Sequence, residues 1–186
     1  MKKVEYNDFD FFFHRIREEL GDDMGMRVME EQDFGMGFHI QIPSDFILAD
    51  EGTAASIFWS DKRPSIILLT PDREAGITFQ FLQNDSKEHE VELKDHRANI
   101  KRVLERIDDR VVIYDMGESD KRIYWLEFKN FAFNERIYNI LFLFHAKEQV
   151  VMGTFYCIFE EYEKWKSVIF NMISTIDKEE EHNDRL

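Results

Sequence analysis

Cysteine occurs once in these 186 residues, at Cys157, so no intrachain disulfide can form. A lone thiol fits a reducing compartment. A domain of this length buries roughly 70% of the surface its unfolded chain exposes, so it needs neither bridges nor metal for stability. Long apolar runs are missing as well. The longest, Ile140–Phe144, falls far short of the ~20 residues that span a bilayer. The N-terminus starts basic at Lys2 and Lys3 but turns acidic and polar by Asp8, before the apolar stretch of a signal peptide can develop. These absences predict a cytoplasmic protein with no membrane span.

Basic charge is scarce. Against 38 acidic residues stand 24 basic ones, a net of -14. The lysines and arginines are scattered among acids, as in Glu105-Arg106-Ile107-Asp108-Asp109-Arg110. Nucleic-acid binding requires clustered cations that displace counterions from phosphates, so nucleic acid is a poor partner, and so is an anionic membrane. A basic protein or peptide is a better one, because opposite fields raise association rates. The same charge also keeps a protein soluble with no partner at all.

Catalytic signatures are absent too. Gly35-Met36-Gly37 runs into a strand pattern, so it is neither a P-loop nor a dinucleotide fingerprint, and no Gly-x-Ser-x-Gly elbow occurs. Zinc sites use compact spacings such as Cys-x-x-Cys, whereas His89 and His96 lie seven residues apart in polar sequence. The acidic run from Glu18 to Asp33 lacks the alternating ligands of an EF-hand. Paired acids such as Asp22/Asp23 and Glu160/Glu161 are what a charge-rich surface produces by default. Cys157, between Tyr156 and Ile158 with no nearby histidine, reads as inert packing. No catalytic residue, metal or cofactor is expected, and the chain reads as a non-enzyme.

Aromatics are abundant, at 15% of the chain, and predict a thick aromatic core. Phe9, Phe12, Phe13, Ile16 and Leu20 form a helical stripe over 7–20, with Asn7 as N-cap and Phe11 lying off the stripe. Strand patterns follow at 27–32, 37–42, 65–70 and 76–83, with an ambiguous stretch from Ile47 to Asp61. A second helix is expected over 95–108, with Ile100, Val103, Leu104 and Ile107 on one face. Strands at 111–116, 121–131, 136–146 and 149–158 lead into a last helix over 159–176. Tyr162, Trp165, Ile169, Met172, Ile173 and Ile176 make its stripe. Ile137–Phe144 is apolar on both faces, as a covered central strand must be. Consecutive strands joined by short turns pair antiparallel, so the predicted class is α+β. The sheet should have about seven strands in one domain over 1–176, followed by a charged, disordered tail over 177–186.

On particular residues the chain resembles PsbP-like proteins. Phe38-His-Ile-Gln-Ile-Pro-Ser-Asp-Phe46 resembles the opening strand of that family. Gly153 through Trp165, with Met172 to Ile176, resembles its closing strand and helix. The segment Asp61 to Ile67 fits bacterial variants, among them the DcrB-like proteins. The resemblance covers roughly 38–176 and implies an antiparallel sheet flanked by helices. The family includes the extrinsic PsbP subunit of photosystem II, a Ran-binding nuclear-transport factor and chaperones of secreted toxins. It therefore implies binding rather than catalysis. No binding residue of a characterised member maps onto this chain.

The expected function is thus a protein-binding module, a chaperone or adaptor. Its contact segment is expected at Phe58, Trp59, Asp61, Lys62 and Arg63, because tryptophan and arginine are enriched at interface hot spots. Phe11 on the N-terminal helix is a second contact. The alternative is a small-molecule or lipid binder, or a weak enzyme, with an apolar pocket between sheet and helix. Both monomer and homodimer are open.

Overall fold

The computed structural model describes residues 27–58, 63–82, 92–132, 135–147 and 149–178. The helix expected over 7–20 lies outside these residues. Among the described residues there are ten strands: β1 (Met29–Asp33), β2 (Phe38–Pro43), β3 (Ile47–Leu48), β4 (Ile66–Leu69), β5 (Ala75–Leu82), β6 (Val112–Glu118), β7 (Tyr124–Ala132), β8 (Glu135–Ala146), β9 (Gln149–Ile158) and β10 (Asp177–Lys178). Three α-helices lie among the described residues: α1 (Glu51–Ile57), α2 (Leu93–Ile107) and α3 (Tyr162–Ser174). A single 3-10 turn, Phe159–Glu161, leads into α3.

Seven strands form one antiparallel sheet in the order β3-β4-β5-β9-β8-β7-β6. This is the sheet of about seven strands that the turn spacing predicts. The other three strands form a separate antiparallel sheet, β1-β2-β10. The ambiguous stretch after Ile47 resolves into a two-residue strand and the short helix α1. Asp50 caps that helix by accepting the Thr53 N–H at 2.7 Å.

The large sheet is covered on both faces. On one, α3 and the small sheet enclose a core in which Phe38, Ile40 and Ile42 of β2 meet Phe79, Phe142, Phe144 and Phe155. Rings meet edge-on, Phe38 and Phe144 at 4.8 Å and Trp125 and Phe170 at 5.0 Å. Gly153 leaves the space that the Phe142 ring occupies; a Cβ there would overlap it. On the other face α2 packs Leu93, Ile100 and Leu104 onto Leu126, Phe128, Leu141 and Leu143. The periodicity of α3 emerges as expected, with Trp165, Ile169, Met172 and Ile173 buried. Phe170, which lies off the predicted stripe, is buried too, because β7 flanks the helix on that side.

Two expectations change. Val103 and Ile107, placed on the inner face of the second helix, are 51% and 77% exposed. Only Leu93, Ile100 and Leu104 of α2 pack onto the sheet, which leaves Val103 and Ile107 in solvent. Asp177 and Lys178, expected to open a disordered tail, instead pair with His39 and Phe38 as β10. Lys121 and Lys178 hold them there: Lys121 Nζ donates to the Ile176 carbonyl and Lys178 Nζ to the Lys121 carbonyl, both at 2.9 Å. The remainder of that tail lies outside the described residues.

Candidate functional site

Of the six residues expected to make contacts, the structure describes Phe58 and Arg63. Phe58 ends α1, its N–H bonded to the Ala54 carbonyl at 2.9 Å, and is half-buried, as is Arg63. Trp59, Asp61, Lys62 and Phe11 lie outside the described residues. Three other places have geometry worth weighing.

The first is the β6 edge. Among the described residues β6 pairs on one side only, with β7, leaving outward backbone groups along seven residues. The register shifts between Ile113 and Asp115, so Tyr114 has no cross-strand partner. Val112, Tyr114 and Met116 are exposed. Met116 lies opposite Leu126, on the face that α2 covers, whereas Val112 lies opposite Lys129 and Tyr114 meets the Phe159 ring, both on the other face. Edge strands are templates for pairing, and this one carries neither the lysine nor the proline that commonly blunts them.

The second is a buried polar cluster that the sequence did not disclose. Glu127 alternates with Leu126 and Phe128 and so looks solvent-facing, but it is only 2% exposed. The face opposite α2 is the larger core, so a strand alternating polar and apolar residues is buried on both sides. Lys166 of α3 donates to both Glu127 oxygens, at 2.7 and 2.9 Å, and Tyr138 Oη donates to Oε1 at 3.0 Å. Burial, and then the adjacent carboxylate, push the Tyr138 phenol far above its ordinary pKa. The proton therefore stays on the phenol, which is the wrong state for a general base. Cys157, the cross-strand partner of Tyr138, is pushed up to about 12 by burial and by Glu161. A thiol held protonated is a poor nucleophile. The cluster anchors α3 to the sheet. The one sequence signal for it was Trp125, which shares the Glu127 face and is far too large for a solvated strand.

The third is an open cleft of about 510 Å³ at the N-terminal end of α2. Glu92, Leu93, Glu118, Arg122, Tyr124, His145 and Lys178 line it. Glu92 stands at the N-cap of α2 but makes no side-chain capping bond. Arg122 occupies the left-handed position of the β6–β7 hairpin, at φ 55°. Burial first, and then the Arg122 and Lys121 charges, lower the Lys178 pKa. Burial, and then the Glu118 carboxylate it bonds, raise that of Tyr124. The cleft lies where helix meets sheet, as the alternative reading required, yet its lining is charged rather than apolar. Among the described residues no three His, Cys, Asp or Glu side chains are grouped to hold a metal ion.

An antiparallel seven-stranded sheet, backed by a small sheet and a C-terminal helix and capped by a second helix, is the PsbP-like fold. The solution structure of cyanobacterial PsbP from Synechocystis sp. PCC 6803 matches it with a TM-score of 0.59 at 10% identity, over 85% of this chain and 96% of that one. LpqN of Mycobacterium tuberculosis, involved in cell envelope biogenesis, matches at a TM-score of 0.47 and 10% identity, over 96% of this chain and 100% of that one. A protein of unknown function from Pseudomonas aeruginosa, a putative regulator, matches at 0.45 and 9%, over 79% and 94%. No family model and no curated protein matches the chain. The similarity is one of fold. No described helix is long and apolar enough to cross a membrane.

Proposed function

We propose that this chain is a non-enzymatic, cytoplasmic protein-binding module, a chaperone or adaptor that takes an extended, basic segment of a partner along β6. The observation that carries this reading is the open β6 edge, with Val112 and Tyr114 exposed on one face of the sheet and Met116 on the other, the face that α2 covers. A partner strand would bond the outward backbone groups while its alternate side chains rest on Met116 on one face and on Val112 and Tyr114 on the other. The net charge of -14 favours a basic partner over a second copy of the chain, since two such copies repel. The PsbP-like architecture supports an accessory role. So does the chemistry of Tyr138 and Cys157, which are held in their unreactive protonated states.

The test is comparative capture from the native cell. Wild-type protein should recover a partner, and the Val112→Lys/Met116→Lys pair should lose it. Leu48→Lys, on the opposite edge, should keep it. Equal recovery by the β6 variant would move the site elsewhere, and no partner with any variant would remove the reading.

A further inference from the structure

The bulge in β6 interrupts the ladder, so a strand docking there is read at that point through side chains rather than backbone. Ile113 opposes Phe128 and Asp115 opposes Glu127, with Tyr114 the extra residue between them. An extra residue of this kind re-aims the side chains about it. Tyr114 turns to the face away from α2, where its ring lies 6.3 Å from that of Phe159. Asp115 shares that face, because cross-strand partners do and Glu127 bonds Lys166 of α3 there. Both side chains are exposed. Asp115 Oδ1 accepts the Met116 N–H at 2.8 Å, which keeps the carboxylate beside the edge backbone and leaves Oδ2 to meet another donor.

Elsewhere in the molecule a ring and a carboxylate side by side hold an arginine between them. Arg136 stands 5.3 Å from the Phe159 centroid and bonds Glu160. Arg110 stands 4.7 Å from that of Phe131 and bonds Asp108 at 2.7 Å. Arg27 lies 4.0 Å over Trp165 and bonds Asp45. At the edge, Tyr114 and Asp115 present the same ring and carboxylate, and among the described residues no cation stands over Tyr114. We infer that the segment docking on β6 carries an arginine at the bulge, its guanidinium stacked on Tyr114 and bonded to Asp115 Oδ2. This rests on the docking proposed above and narrows the partner from basic to arginine-bearing. A guanidinium is planar and weakly hydrated, so it stacks on a ring and bonds a carboxylate at once. An ammonium is a compact, strongly hydrated charge and does this poorly. Lys129 and Arg136, the cations on the Phe159 ring, oppose a further charge, and Glu160 and Asp115 offset them.

The test titrates the full chain with the peptide Ac-Thr-Val-Arg-Val-Thr-NH2, followed by backbone amide NMR. Copies with lysine or glutamine in place of arginine serve as controls. The arginine peptide should shift the resonances of Tyr114, Asp115 and Met116. The lysine copy should bind about threefold more weakly and the glutamine copy about tenfold. Tyr114→Leu should abolish the difference between arginine and lysine, whereas Tyr114→Phe keeps the ring and should keep the difference. Asp115→Asn retains an oxygen for the Met116 N–H, so it should fold while losing about threefold for the arginine peptide. Equal binding of arginine and lysine by the wild type would overturn the inference. So would an arginine preference that survives Tyr114→Leu, or no shift along β6 at millimolar peptide. If Val112→Lys/Met116→Lys loses all three peptides while the wild type shows no preference among them, the docking site stands and the arginine alone is removed.

Discussion

The two faces of the large sheet are built to different standards. One is sealed by a second sheet and by α3, with aromatic rings from four strands meeting at their edges and a fully bonded carboxylate inside. The other carries a single helix that covers Leu126, Phe128, Leu141 and Leu143 and leaves Val103 and Ile107 in solvent. Stability is concentrated on the first face. The second leaves Val103, Ile107 and Met116 exposed. A protein that binds through an edge needs this division, because residues left open for a partner contribute little to folding.

The largest test of that contrast is Phe155→Ala on the sealed face. Phe155 is fully buried among rings that cannot collapse into the space, so the loss should be about 3–5 kcal/mol in chemical denaturation. A loss below ~1 kcal/mol would mean that the aromatic core is loosely packed. Glu127→Ala comes next. It removes the carboxylate that the Lys166 ammonium and the Tyr138 hydroxyl both bond, at an expected cost of about 3 kcal/mol. Joint replacement, Glu127→Leu with Lys166→Met, should recover most of that loss, and a double variant no better than the single would show that the pair is net stabilising. The smallest effect belongs to the open face. Ile107→Lys should change stability by no more than about 0.5 kcal/mol, while weakening partner capture in parallel with the β6 variant.

Much of the frame was legible in the sequence. Strand β9 lies where its alternation put it, and the doubly apolar β8 is central in the sheet. What misled was the equation of polar positions with solvent. Glu127 alternates as a surface residue does, and its burial depends on Lys166, 39 positions further along the chain. The reverse error befell Ile107, whose helical spacing marks a core face. Whether that face meets a core depends on how far the sheet extends beneath it, which is a property of strand order. The cleft was hidden for the same reason. Glu92, Glu118, Arg122 and Lys178 are unremarkable singly, and meet because β10 closes beside the β6–β7 hairpin.

The pairing of β10 with β2 has a consequence for synthesis. Phe38 and His39 are made well over a hundred residues before Asp177 and Lys178, which follow every other described element. The small sheet, and with it the lid of the aromatic core, cannot be completed until translation has passed Lys178. Contacts so distant in sequence slow folding, because the loop between them must be ordered before they form. A nascent chain would therefore expose Phe38, Ile40 and Ile42 until Lys178 has been made, and the small sheet would close only then.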